Sequence, residues 1–140
     1  MRFHVSRWGG WPLAVGLMLA LGCGTDSDSG SSSAYNDVLV ARSTDDGATW
    51  TAPAALNRGA KKDRGYDYSP QLTTDSLGTW VAVWWSNAFF DPFGYDFDIL
   101  MARSTDGGAT WTGHAELNTN AGSDGGDDYW PDVTADGQGI

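Results

Sequence analysis

The chain has 140 residues, with 18 acidic against 8 basic side chains and a formal net charge of −10. A surface of that sign repels phosphate backbones, so nucleic acid is excluded as an expected partner. A single cysteine, Cys23, excludes an internal disulfide framework and leaves one thiol to be explained.

The first 22 residues read as a segment apart from any fold. Arg2, His4 and Arg7 make a basic opening, an apolar run follows from Trp11 to Leu21, and small residues lead to Cys23. The run is shorter than the roughly 20 apolar residues that a membrane-spanning helix needs. A basic start, a short apolar middle and a small-residue exit predict a secretory signal peptide over 1–22. The string Leu19-Ala20-Leu21-Gly22-Cys23 resembles the lipobox of bacterial lipoproteins. That resemblance implies cleavage before Cys23 and a lipid on its thiol. It also implies an exported protein anchored to a bacterial membrane, the outer membrane or cell surface where the host has two.

Residues 23–36 carry Ser, Gly and Asp and almost nothing to bury, which predicts a flexible tether. Removal of 1–22 would take away Arg2 and Arg7 but no acid, leaving 6 basic against 18 acidic side chains and a charge of −12.

The mature region repeats itself. Displaced by 61 residues, 37–79 falls on 98–140 without a gap, and 24 of the 43 pairs are identical. Agreement of that extent is internal duplication. Within each unit the pattern predicts short strands: 69–75, closed by the turn Asp75-Ser76-Leu77-Gly78, then 79–86, rich in Val and Trp, then 97–103, with a short fourth strand beginning at 110–112. No window holds the 3.6-residue apolar spacing of an amphipathic helix over a useful length. The expected class is all-β, built from four-stranded antiparallel units repeated as in propeller blades.

Between the third and fourth strands lies the turn Ser-x-Asp-x-Gly-x-Thr-Trp, present at 43–50 and again at 104–111. Asp45 and Asp106 can accept hydrogen bonds from nearby backbone N–H groups, as Asx turns do. Gly47 and Gly108 permit the positive φ that such a turn requires. Ser43, Ser104, Trp50 and Trp111 complete the two motifs, the indoles covering the blade. These residues resemble the Asp box, or BNR repeat, of sialidases and related proteins. The resemblance spans 37–140 and implies a sialidase-like β-propeller, six-bladed in the parent fold. About two blades are present in this sequence, so it also implies either a fragment of a longer propeller or a short chain that completes a ring by oligomerising. In that family the Asp boxes are structural and lie away from the ligand.

The ligand-facing loops would then be 87–95 and the linkers 58–67 and 119–128, and loops on a rigid scaffold are where binding residues concentrate. The segment 87–96 holds four aromatics and two carboxylates, a mixture that suits a sugar: rings stack on its apolar face and carboxylates accept its hydroxyls. Asp91 and Tyr95 are the first candidates, with Asp67 and Tyr68 next; the alternative is that Phe89, Phe90 and Phe93 pack between blades. The acidic run from Ser123 to Trp130 has carboxylates but lacks the spacing and closing Glu of a calcium loop. No metal or cofactor is expected.

Sialidase chemistry, as the resemblance describes it, needs three arginines on the substrate carboxylate, a Tyr–Glu nucleophile pair and an acidic acid/base. The mature region offers Arg42, Arg58, Arg64 and Arg103, of which Arg42 and Arg103 are repeat twins just before each box, and a single glutamate, Glu116. No catalytic residue can be assigned. Two readings stay open: a non-catalytic surface module that binds glycan or a surface protein, and an exo-α-sialidase-type glycosidase whose catalytic blades lie elsewhere.

Overall fold

A computed structural model describes residues 4–5, 16–24, 35–57, 65–87, 96–121, 123 and 125–136. The protein is all-β and its sheets are antiparallel. The first sheet is ordered β1 (His4–Val5), β2 (Gly16–Gly24), β3 (Tyr35–Ser43), β4 (Ala54–Ala55); the second is ordered β5 (Asp67–Thr74), β6 (Trp80–Ser86), β7 (Asp98–Ser104), β8 (Ala115–Glu116). Both are meanders, each strand pairing with the next in sequence, which is the order short connections favour.

The 61-residue duplication is visible in repeated hydrogen bonds. Leu56 N–H donates to Val38 O at 2.8 Å, and its twin Leu117 to Ile99 O at 2.7 Å. Asn57 Nδ2 donates to Asp37 Oδ1 at 3.1 Å, and Asn118 Nδ2 to Asp98 Oδ1 at 2.8 Å. The fourth strand starts later than the Thr-rich pattern predicts. Thr112 N–H donates to Arg103 O (2.8 Å), while the Thr112 hydroxyl accepts from Arg103 N–H (2.9 Å). A side chain thus takes one place in the ladder, and strand pairing begins only at Met101↔Ala115.

Residues 16–24, read from the sequence as the end of an export signal, form β2. Nine residues pair along β3, from Gly16↔Ser43 to Gly24↔Tyr35. This segment takes beside β3 the position that β6 takes beside β7, where the register runs from Trp80↔Ser104 to Ser86↔Asp98. An uncovered β3 would present a row of unpaired N–H and C=O groups, so an apolar extended neighbour satisfies it. The tether predicted over 23–36 is outside the described residues from 25 to 34; Cys23 and Gly24 belong to β2.

The core is the seam between the two sheets. Val38, Val40 and Leu56 of the first meet Leu72, Trp80, Ala82, Trp84, Leu100 and Ala102 of the second, with Trp111 packed at the margin. Trp84 is fully buried, and its indole N–H donates to Asp67 Oδ1 at 3.0 Å. Burial of each such large apolar side chain contributes about 1.5–3 kcal/mol.

Candidate functional site

The two Ser-x-Asp-x-Gly-x-Thr-Trp turns share their Asp-centred bonds but differ at the indole: Trp50 Nε1 donates to Gly47 O (3.1 Å), whereas Trp111 Nε1 is buried without a partner among the described residues. Asp45 Oδ1 accepts from Ser43 Oγ (2.8 Å) and from Thr49 N–H (2.8 Å), and Oδ2 accepts from Thr49 Oγ1 (2.6 Å). Asp106 does the same with Ser104 and Thr110. Gly47 and Gly108 sit at φ +85° and +79°, the left-handed region. The hydrogen bonds from Thr49, side chain and then backbone, followed by Ser43, draw Asp45 down to about 2; the matching bonds from Thr110 and Ser104 do so for Asp106. A carboxylate so satisfied locks a turn and is poorly placed to carry a proton in catalysis. Arg42 is engaged as well: its Nε donates to Gly107 O at 2.8 Å, linking the first sheet to the second turn.

At the other end of the sheets, where Asp98 faces Ser86, the chain gathers aromatic rings. Trp85 is the hub. Its ring lies 4.4 Å from Tyr68, 4.7 Å from Phe97, 4.9 Å from Tyr129 and 6.1 Å from Trp130, the contacts with Phe97 and Tyr129 being edge-to-face. Tyr66 stacks on Tyr68 at 6.0 Å and meets Tyr35 at 5.3 Å, which carries the array across to the first sheet. Ring pairs at these separations are individually favourable by about 0.5–1.5 kcal/mol. Trp130 is nevertheless 75% exposed and Tyr129 44% exposed, so the array ends in open rings.

The backbone aims these rings at a cost. Ser69 and Trp130 are repeat twins, and both hold positive φ, +47° and +58°. In the first unit the deviation falls inside a break of register between Tyr68 and Gln71, a bulge that also accommodates Pro70. Left-handed non-glycine residues cost about 1–3 kcal/mol and persist where surrounding structure over-determines them. Here each follows a tyrosine of the array.

Polar groups frame the rings. Tyr129 Oη donates to Asp127 Oδ2 at 2.6 Å, a bond that raises the phenol above its ordinary range by favouring the neutral form. Asp127 Oδ1 accepts from Phe97 N–H (3.1 Å), and Asp128 Oδ2 accepts from Asn118 Nδ2 (2.8 Å). Asp127 and Asp128 are thereby oriented by protein donors and keep further acceptor capacity. No cluster of three or more His, Cys, Asp or Glu side chains suited to a metal occurs among the described residues. Trp85 Nε1 and Asp96 Oδ2 are buried without a hydrogen-bond partner among the described residues, leaving a donor and an acceptor within this region.

The sequence-derived candidates fare differently. Tyr68 belongs to the aromatic array. Asp67, its neighbour, is a correction: it is 1% exposed and turned inward onto Trp84, because successive strand residues point to opposite faces. Asp91 and Tyr95 lie outside the described residues. Trp85, Phe97, Tyr129 and Trp130 belong to the array and were not singled out from the sequence. Trp130 could have been found as a departure from the duplication, since it replaces Ser69 between two conserved-in-repeat neighbours, Tyr68/Tyr129 and Pro70/Pro131. No family model and no curated protein matches the chain.

Proposed function

We propose that the chain is an exported Asp-box lipoprotein of the sialidase-like propeller type, whose two sheets are blades and whose aromatic end binds glycan at the cell surface. The observation that carries the binding reading is the pair of left-handed residues, Ser69 and Trp130, that follow Tyr68 and Tyr129 and leave the Trp130 ring open to solvent. An indole platform beside carboxylates and a phenol matches a pyranose: its C–H face stacks on the ring while its hydroxyls donate to Asp127 and neighbours. The acidic charge favours neutral or cationic sugars over anionic ones.

Cys23, in this reading, carries a lipid and tethers the module to the membrane. Cleavage before it would also withdraw most of β2 from β3. The alternative, an exo-α-sialidase-type glycosidase, gains nothing from Arg42, whose guanidinium is held by Gly107 O.

The test is isothermal titration against soluble neutral, amino-substituted and anionic polysaccharides, with the wild type and Trp130→Ala. Binding of a neutral or amino-substituted glycan that weakens at least about tenfold in the variant is the expected result. Absence of binding to every glycan, or binding indifferent to Trp130→Ala, would overturn the proposal.

A further inference from the structure

Residues 16–24 have two uses that exclude each other. In the fold they are β2, paired along β3 from Gly16↔Ser43 to Gly24↔Tyr35. In the export reading they end a signal whose apolar run lies in a membrane when the bond before Cys23 is cut. The ladder with β3 therefore competes with the membrane for one segment.

The register fixes what the ladder covers. Val38 O accepts from Leu56 N–H, Arg42 O accepts from Thr51 N–H, and Arg42 N–H donates to Thr51 Oγ1, so Val38 and Arg42 direct their backbone groups towards the β4 side. Successive residues of a strand direct theirs to opposite sides, and the pairs of β2 with β3 run in unbroken register. Asp37, Leu39 and Ala41 therefore direct theirs towards β2. Asp37 is the partner of Gly22, which makes the two a hydrogen-bonded pair that exchanges both N–H···O bonds. The Gly22 carbonyl, thus held by Asp37 N–H, is the carbonyl of the bond between Gly22 and Cys23.

We infer that β2 is a conformational guard: the folded chain protects its own cleavage bond, and processing acts only on chain in which β2 has left β3. Cleavage adds water across the amide, freeing a carboxylate on Gly22 and an amine on Cys23. A peptidase must bring its own hydrogen-bond donors to the Gly22 oxygen as the charge develops there, and in β2 that oxygen is engaged. The inference rests on the export reading of 1–22 and is independent of the glycan reading.

The test compares two samples of the 140-residue chain, one folded without membranes and one released from urea, each added to inverted membrane vesicles of a lipoprotein-processing bacterium. Mass spectrometry reads the cut between Gly22 and Cys23. The urea-released chain should be cut, and the folded chain at least about tenfold more slowly, because only its open fraction is a substrate. Leu39→Pro removes an N–H directed at β2 and spares the bonds of Val38 and Arg42 on the β4 side. It should bring the folded chain towards the urea-released rate while the β7 amides stay protected from hydrogen exchange. Equal cutting of the two wild-type samples would overturn the proposal. So would amides at 17–22 that exchange as fast as in an unpaired chain, or a Leu39→Pro chain as slow as the wild type. A urea-released chain that is never cut would overturn the export reading, and the guard with it.

Discussion

Leu56 and Leu117 form an internal control for the inter-sheet seam, and truncating each to alanine measures what the seam contributes. Their local settings cancel: both donate a backbone N–H to the neighbouring strand, at 2.8 and 2.7 Å. What differs is cover, 6% against 54% exposure. A buried Leu→Ala change costs about 2–5 kcal/mol, the lost transfer energy plus the cavity left behind. At Leu117 about half the side chain is already in water and no closed cavity can form, so the cost should be about 1 kcal/mol or less. The expected difference is therefore about 2 kcal/mol. With a urea m-value of roughly 1–2 kcal/mol/M, the Leu56→Ala midpoint should fall about 1–2 M below that of Leu117→Ala. Equilibrium unfolding followed by circular dichroism reads this directly. Equal losses at the two positions would refute the packing of the sheets against each other.

Other consequences are as open to measurement. Asp45 and Asp106 are held at about 2, below the ordinary carboxylate value of 3.8, so their turns contribute stability in full above about pH 3.8 that is lost as pH falls through about 2. Acid titration of the double variant Asp45→Asn/Asp106→Asn should show a flatter stability profile between those values than the wild type. Gly47→Ala should cost about 1–2 kcal/mol from the left-handed backbone alone, since the new Cβ would lie 3.7 Å from Trp50 Cζ2, an ordinary contact; a thermal melt checks it. Cys23→Ser, expressed in a lipoprotein-processing bacterium, should move the protein from the detergent phase to the aqueous phase, and mass spectrometry should show the acyl groups lost.

The duplication made the second sheet legible strand by strand, because repeated identity survives where single-strand propensity is ambiguous. It also exposed both turns, whose Ser, Asp, Gly, Thr and Trp each serve a backbone need stated by their chemistry. The fourth strand was displaced because the Thr112 hydroxyl stands in for a backbone partner, a substitution that no propensity records. The pairing of Gly16–Gly24 with β3 was not legible because a short apolar run fits the pattern of an export signal and that of a strand equally. At the aromatic end, Asp67 and Tyr68 are adjacent in sequence but opposite in role; alternation and the following bulge decide between them, and Ser69 gives no outward sign of its positive φ.

The binding end is tested most directly by the indole N–H resonances of the tryptophans in a two-dimensional NMR titration with the glycan that the binding screen selects. Trp85 and Trp130 are expected to shift together while Trp50 and Trp111, in the two Ser-x-Asp turns at the opposite end of the sheets, stay in place. Shifts confined to Trp50 and Trp111 would contradict it and move the site to the opposite end of the sheets.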